Sequence, residues 1–230
     1  MQEFIMIPYS LIYNRNMGDK RVLVYSSILF SGWAGKNVEE LVRYSKYSPR
    51  RDSGGVLQQY KVLIKSFVEN HYFKKTKNNL IYVRPEESFG IIYRKEFQII
   101  LQSRDSKLCD TRRINHSHLL LLLSHIRLCM IRSYGVPRFY SNLLSRISNN
   151  IGLSVRSISK SLKILEELEI IHSEELPRYK DNDGHWHSNV KIFVNMNPLD
   201  ENIEDSYSWQ NETSKGIRYI IASQLDYTGG

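Results

Sequence analysis

One segment constrains this chain more than any other. It is Leu143-Leu144-Ser145-Arg146-Ile147-Ser148-Asn149-Asn150-Ile151-Gly152-Leu153-Ser154-Val155-Arg156-Ser157-Ile158, continuing through Leu162, Leu165 and Leu168 to Ile170-Ile171. Gly152 permits a sharp turn between two helices, because it has no Cβ to clash at positive φ. Leu153 anchors that turn, and the Ser154 hydroxyl is placed to take an otherwise orphaned N–H at the start of the next helix. Ile158, Leu162, Leu165 and Leu168 fall on one face of a helix predicted over Val155–Leu168. Stepping about 100° per residue from Ile158 puts Arg156, Lys160 and Lys163 on the opposite side. Ser157 and Ser159 flank them, and Glu166 and Glu167 lie toward the far end. The preceding helix is expected over Tyr140–Asn149, burying Leu143, Leu144 and Ile147.

Two β-prone stretches follow, Ile170–Ser173 and Ser188–Val194, around the polar stretch Pro177–His187, so a hairpin is expected. Its loop carries Arg178, Lys180, His185 and His187, with Tyr179 and Trp186 between them. An ordinary amphipathic helix with a solvated charged face would show the same periodicity as Val155–Leu168. The glycine turn, the serine cap and the hairpin together favour a helix-turn-helix that binds duplex DNA. Such a helix would offer Ser154, Arg156, Ser157, Lys160 and Lys163 to bases and phosphates. The hairpin would lay Arg178, Lys180 and His185 along the backbone or the minor groove, although Asp181 and Asp183 dilute its charge.

The same order of elements recurs earlier in a more degenerate form. After an extended piece, Phe4–Tyr9, Asp19 is expected to cap a helix running to about Phe30. Asn37 caps a short helix with Glu39 and Glu40 in its first turn. Ser48–Gly55 reads as a turn, and Val56–Asn70 as a third helix with the stripe Leu57, Tyr60, Ile64, Phe67 and Val68. His71–Lys75 and Leu80–Arg84 then read as a hairpin. Here the candidate phosphate contacts are Arg50 and Arg51 in the turn, Lys61 and Lys65 on the helix, and Lys74, Lys75 and Lys77 at the hairpin tip. Phe89–Lys107 is expected to be a short strand leading into a helix. Asn115 then caps an apolar helix, His116–Ser133.

The pattern resembles a winged-helix domain, and the duplication is similar to replication initiator proteins of plasmids and bacteriophages built from tandem winged helices. The residues that carry the likeness are Ile7-Pro8-Tyr9, the apolar helix Val22–Phe30, the Tyr93–Leu101 bridge into a leucine-rich helix, and the Gly152-Leu153-Ser154 turn. The resemblance implies binding to repeated origin sequences and recruitment of host replication proteins. It also implies a mainly α fold with small β-hairpins, in the α+β class. The expected domains are 1–88 and 113–197, joined by 89–112 and followed by an acidic extension, 198–230. Transcriptional regulators share the module, and a winged helix that binds protein instead of DNA is a third reading.

Charge agrees with a polyanionic partner. The chain carries a formal +8, unevenly placed: residues 1–110 hold 18 Lys/Arg against 11 Asp/Glu, residues 111–197 hold 12 against 7, and residues 198–230 hold 2 against 6. The hydrophobic fraction of 41% is ample for real cores. With only Cys109 and Cys129 and no apolar run longer than Leu119–Leu123, the expectation is a cytoplasmic protein with reduced thiols and no membrane partner. His185 and His187, two apart beside Asp181 and Asp183, have the spacing of a paired-histidine metal motif. The turn Asp181-Asn182-Asp183-Gly184 places His185 in a loop, however, and no GxxxxGK[ST], GxSxG or HExxH occurs. No catalysis, cofactor or metal is expected. The oligomeric state stays open between a monomer on two half-sites and a homodimer through His116–Ser133.

Overall fold

A computed structural model of the chain describes residues 3–33, 37–47, 55–76, 79–103, 115–130, 140–175, 179–180, 184, 186–187 and 189–195. Among them the architecture is mixed α+β and mostly helical, with eight α-helices and four small antiparallel sheets. The chain divides into two compact units, Met1–Leu128 and Cys129–Gly230. None of the described helices is long and apolar enough to cross a membrane.

The first unit opens with β1 (Phe4–Pro8) and α1 (Tyr9–Tyr13), followed by a 3₁₀ turn at Arg15–Met17 and α2 (Arg21–Ser31). Next come α3 (Val38–Tyr44), α4 (Gly55–Glu69) and the hairpin β2 (Phe73–Lys75) with β3 (Leu80–Tyr82). The strand β4 (Phe89–Tyr93) returns to pair with β1, Phe4 opposite Tyr93 and Pro8 opposite Phe89, and leads into α5 (Arg94–Gln102). Asn37 caps α3 as its sequence predicts, its side chain accepting from the Glu39 N–H. Asp19 does not cap α2. Its carboxylate instead accepts from Asn115 at 3.3 Å and His118 at 3.0 Å, and the His118 hydrogen bond is the main cause that holds its pKa down at about 2. Arg21, which follows it, is buried and donates from Nε to the Leu11 carbonyl at 2.8 Å, and also to the carbonyls of Ile12 and Gly18. One guanidinium thus satisfies the carbonyls that the short α1 leaves open at its C-terminal end. Between α2, α4 and β2, the rings of Tyr25, Phe67 and Phe73 lie 5.3–6.1 Å apart in tilted or edge-on pairs.

The helix α6 (His116–Cys129) corrects the expected domain boundary. Its residues through Leu128 belong to the first unit, and β4 is part of that unit's sheet, not a connector. The physical reason is the helix surface. Leu119 to Leu123 are five consecutive leucines, so they project all round the axis, and every one is buried. Polar links tie the helix down on several sides. Arg127 donates to the Ile91 carbonyl at 2.9 Å and grips the wholly buried Glu96 of α5, 2.6 Å from Nη1 to Oε2. Glu96 also accepts from the Tyr93 N–H. Burial raises the Glu96 carboxyl above its ordinary range, and Arg127 opposes that rise. Leu119 to Leu123, covered in this way, are not free to make the dimer contact expected of His116–Ser133, of which residues 131–133 lie outside the described residues.

His125 of α6 is also buried, its Nδ1 lying 2.8 Å from the Tyr13 hydroxyl. Burial pushes its pKa down from 6.5 to about 4. Between those values the unfolded chain binds the proton and the folded chain does not, so stability rises with pH in that window and is lost as pH falls through it. The expected cost on going from pH 7 to pH 5 is on the order of 2 kcal/mol from this group. Denaturant unfolding at the two pH values checks it, and His125→Gln is expected to flatten the difference.

The second unit is built on β5 (Tyr140–Leu143), α7 (Leu144–Ile151), α8 (Val155–Glu167), β6 (Ile171–Glu175), β7 (Tyr179–Lys180), β8 (Trp186–His187) and β9 (Asn189–Val194). Residues 140–143 are a strand and not the start of the predicted helix, because Tyr140–Leu143 finds a partner in β9, with Tyr140 opposite Ile192. β9 pairs on its other edge with β6, giving the order β5-β9-β6. Ile147, Ile151, Leu153, Ile158, Leu162, Leu165, Ile192 and Phe193 are buried in this unit. The acidic extension, 198–230, lies outside the described residues.

Candidate nucleic-acid interface

The turn between α7 and α8 follows from three side chains. Gly152 adopts the left-handed conformation at φ 78°, where a Cβ would be strained, and its N–H closes α7 on the Ser148 carbonyl. Ser148 Oγ then donates to the Leu153 carbonyl at 2.6 Å, bracing the turn across its mouth. Ser154 caps α8, its Oγ accepting from the Ser157 N–H at 3.1 Å and sharing a hydrogen bond with the Ser157 hydroxyl.

With the helix start fixed, its faces are fixed as well. Ile158, Ser161, Leu162, Ile164 and Leu165 are buried. Arg156, Lys160 and Lys163 are all exposed and follow one another at four and three residues, one turn apart along the outer side. Ser157 and Ser159, half-buried, line its edges. The sequence placed all five of these correctly on the helix.

The neighbouring α7 adds residues that the periodicity argument passed over. Ser145, Arg146, Asn149 and Asn150 are exposed along its outer face. A sequence signal for them exists: from Cys129 to Leu165 the unit contains six Lys/Arg and no Asp or Glu. The first carboxylate, Glu166, turns toward the sheet, where it accepts from Ser173. The outward surface of the two helices therefore carries positive charge and neutral hydrogen-bonding groups, with one exposed carboxylate, Glu167, at the far end of α8. That combination suits a polyanion, whose phosphates take the cations while hydroxyl and amide groups meet polar edges.

After α8 the chain turns back through Glu169 at φ 56° and enters the β6–β9 ribbon. A separate two-stranded ladder, β7–β8, sets Tyr179 opposite His187 and Lys180 opposite Trp186. Lys180 is exposed there. Arg178 and His185 lie outside the described residues.

In the first unit, Lys61 and Lys65 are exposed on α4, and Lys74 and Lys75 are exposed on β2. Lys65 lies 3.6 Å from Glu69, one turn on, so part of its charge is answered within the helix. Arg50, Arg51 and Lys77 lie outside the described residues. The structure thus gathers Ser154, Arg156, Ser157, Lys160 and Lys163 on one helix with Lys180 on the following ribbon, and places the four described lysines of the first unit in a separate compact body.

No protein-family model, curated protein or solved structure matches the chain.

Proposed function

We propose that the second unit is a winged-helix domain, with α8 as the recognition helix and the β6–β9 ribbon as the wing, and that the protein binds double-stranded DNA in a sequence-specific way. The observation that carries this is the outer stripe of α8. Arg156, Lys160 and Lys163 stand one turn apart and exposed, behind a glycine turn and a serine cap, with the exposed carboxylate Glu167 only at the far end of the helix. An α-helix of this kind fits the major groove, where arginine and lysine read guanine and bind phosphate. The first unit repeats the order helix, helix, hairpin in α3, α4 and β2–β3, which supports a tandem winged-helix arrangement. Its exposed lysines suit backbone contact more than base reading, since lysine binds phosphate as a point charge. The role that suits such a protein best is replication initiation, with host replication proteins as further partners.

Selection of bound duplexes from random DNA at two salt concentrations tests the proposal. Enrichment of a recurring sequence is expected, together with an affinity that falls steeply with salt, since each neutralised phosphate contributes about 0.9 to the log–log slope. Direct repeats among the selected sites would support an initiator, and a palindrome would favour a transcriptional regulator. Failure to retain any duplex at low salt would overturn DNA binding outright.

A further inference from the structure

We propose that Glu166 is a positioning residue that locks the wing ribbon to the recognition helix and so aims the ribbon's basic tip; this rests on the DNA-binding reading above. Glu166 sits in the last turn of α8, the helix that bears Arg156, Lys160 and Lys163. Its Oε1 accepts from the Ser173 N–H at 2.8 Å and from the Ser173 hydroxyl at 3.1 Å, and His172 Nδ1 lies 3.6 Å from the same oxygen. Ser173 is the middle residue of β6, opposite Ile192 of β9, and the His172 ring stacks on Phe193 of β9. One carboxylate oxygen therefore fixes the root of the ribbon to the end of the helix. Between the two anchor points the chain is already tight, with the Ile170 N–H on the Leu165 carbonyl and the Asn195 side chain on the Glu169 carbonyl. Glu166 closes this arrangement at β6, which is an edge strand of its sheet.

Leverage makes the root matter. Lys180 stands seven residues beyond Ser173 in the sequence, a separation of at most about 23 Å for a chain of that length. A rotation of roughly 10° at the root would then move the tip by about 4 Å, the whole reach of an ion pair with phosphate. The role is distinguishable from simple electrostatics. A carboxylate on the DNA-binding helix opposes a polyanion by its charge, so deleting it without consequence for the wing would strengthen binding. Glu166→Gln removes the same charge as Glu166→Ala, yet keeps an oxygen that can accept both Ser173 hydrogen bonds.

The experiment compares the two variants in the full chain on a selected duplex, each with and without Lys180→Ala. E166A is expected to bind about 5- to 10-fold more weakly than E166Q near physiological salt, with a salt slope shallower by about one. Lys180→Ala is expected to cause the same loss in the E166Q background and no further loss in the E166A background, because the misaimed wing no longer uses that lysine. Amide exchange at Ser173 reads the link without DNA, and is expected to be fast in E166A and slow in E166Q. Should E166A fail to fold, Glu166→Asn takes its place, since it removes the same charge and shortens the arm by one methylene. Equal affinity and slope for E166A and E166Q, or the same Lys180→Ala loss in both backgrounds, would overturn the coupling while leaving DNA binding intact. A wild-type chain that retains no duplex would overturn both.

Discussion

Reversing the charge at both Arg156 and Lys160, to glutamate, is expected to weaken binding to a selected duplex by at least about 100-fold while leaving the fold intact. Two cations become two anions on the exposed stripe of α8, so phosphate attraction turns to repulsion. Any base contact made by these side chains is lost as well, at about 1–3 kcal/mol for each good bidentate pair. The folded state has little reason to object. Both residues are exposed, and position 156 falls in the first turn behind the Ser154 cap, where a carboxylate suits the helix dipole. Fluorescence anisotropy for binding and thermal unfolding for stability separate the two effects. Unchanged affinity in a folded double variant would remove α8 from the interface.

Gly90→Ala is expected to have the largest effect on stability, about 3 kcal/mol or more, lowering the midpoint of thermal unfolding by roughly 10 °C. Gly90 lies in β4 opposite Ile7 and faces the backbone of α6. A Cβ there would overlap the Ser124 carbonyl oxygen and sit 3.2 Å from its carbon. No flexible side-chain end is available to yield, because these atoms belong to a helical backbone. Relief requires the sheet and α6 to part, which loosens the buried leucines and the Arg127 contacts to Ile91 and Glu96. Gly32→Ala provides the comparison: among the described residues nothing crowds a Cβ placed there within 4 Å, and φ +66° opposes the substitution. About 1 kcal/mol is expected there. A Gly90→Ala protein within 1 kcal/mol of wild type would mean that β4 and α6 are not in close contact in solution.

Features governed by neighbouring residues were legible from the sequence. The Asn37 cap, the Gly152 turn, the Ser154 cap and the buried stripe of α8 depend on groups a few positions apart, and each stands where its spacing predicts. The hairpin β2–β3 and the passage from β4 into α5 were legible for the same reason. Within the candidate site, the α8 cations followed from helical periodicity, whereas Arg146 and the asparagines of α7 needed a different signal, the run without carboxylates. The link from Glu166 to Ser173 had no local signature, since a surface glutamate near a helix end normally faces water.

The amino-acid sequence by itself determined the secondary structure around the glycine turn and which side of α8 would face solvent, because steric limits at φ > 0, capping and a 3.6-residue period act over one or two turns. Tertiary structure decided the rest. Tyr140–Leu143 became a strand because β9 offered it a ladder, and Asp19 left the helix start because Asn115 and His118, almost a hundred residues away, offered it hydrogen bonds. α6 joined the first unit because five leucines round a helix need covering on every side, and Gly90 lets the sheet come close enough to help. These choices depend on what distant parts of the chain bring into contact, and burial of apolar surface, which has no preferred direction along the sequence, is the force that makes them.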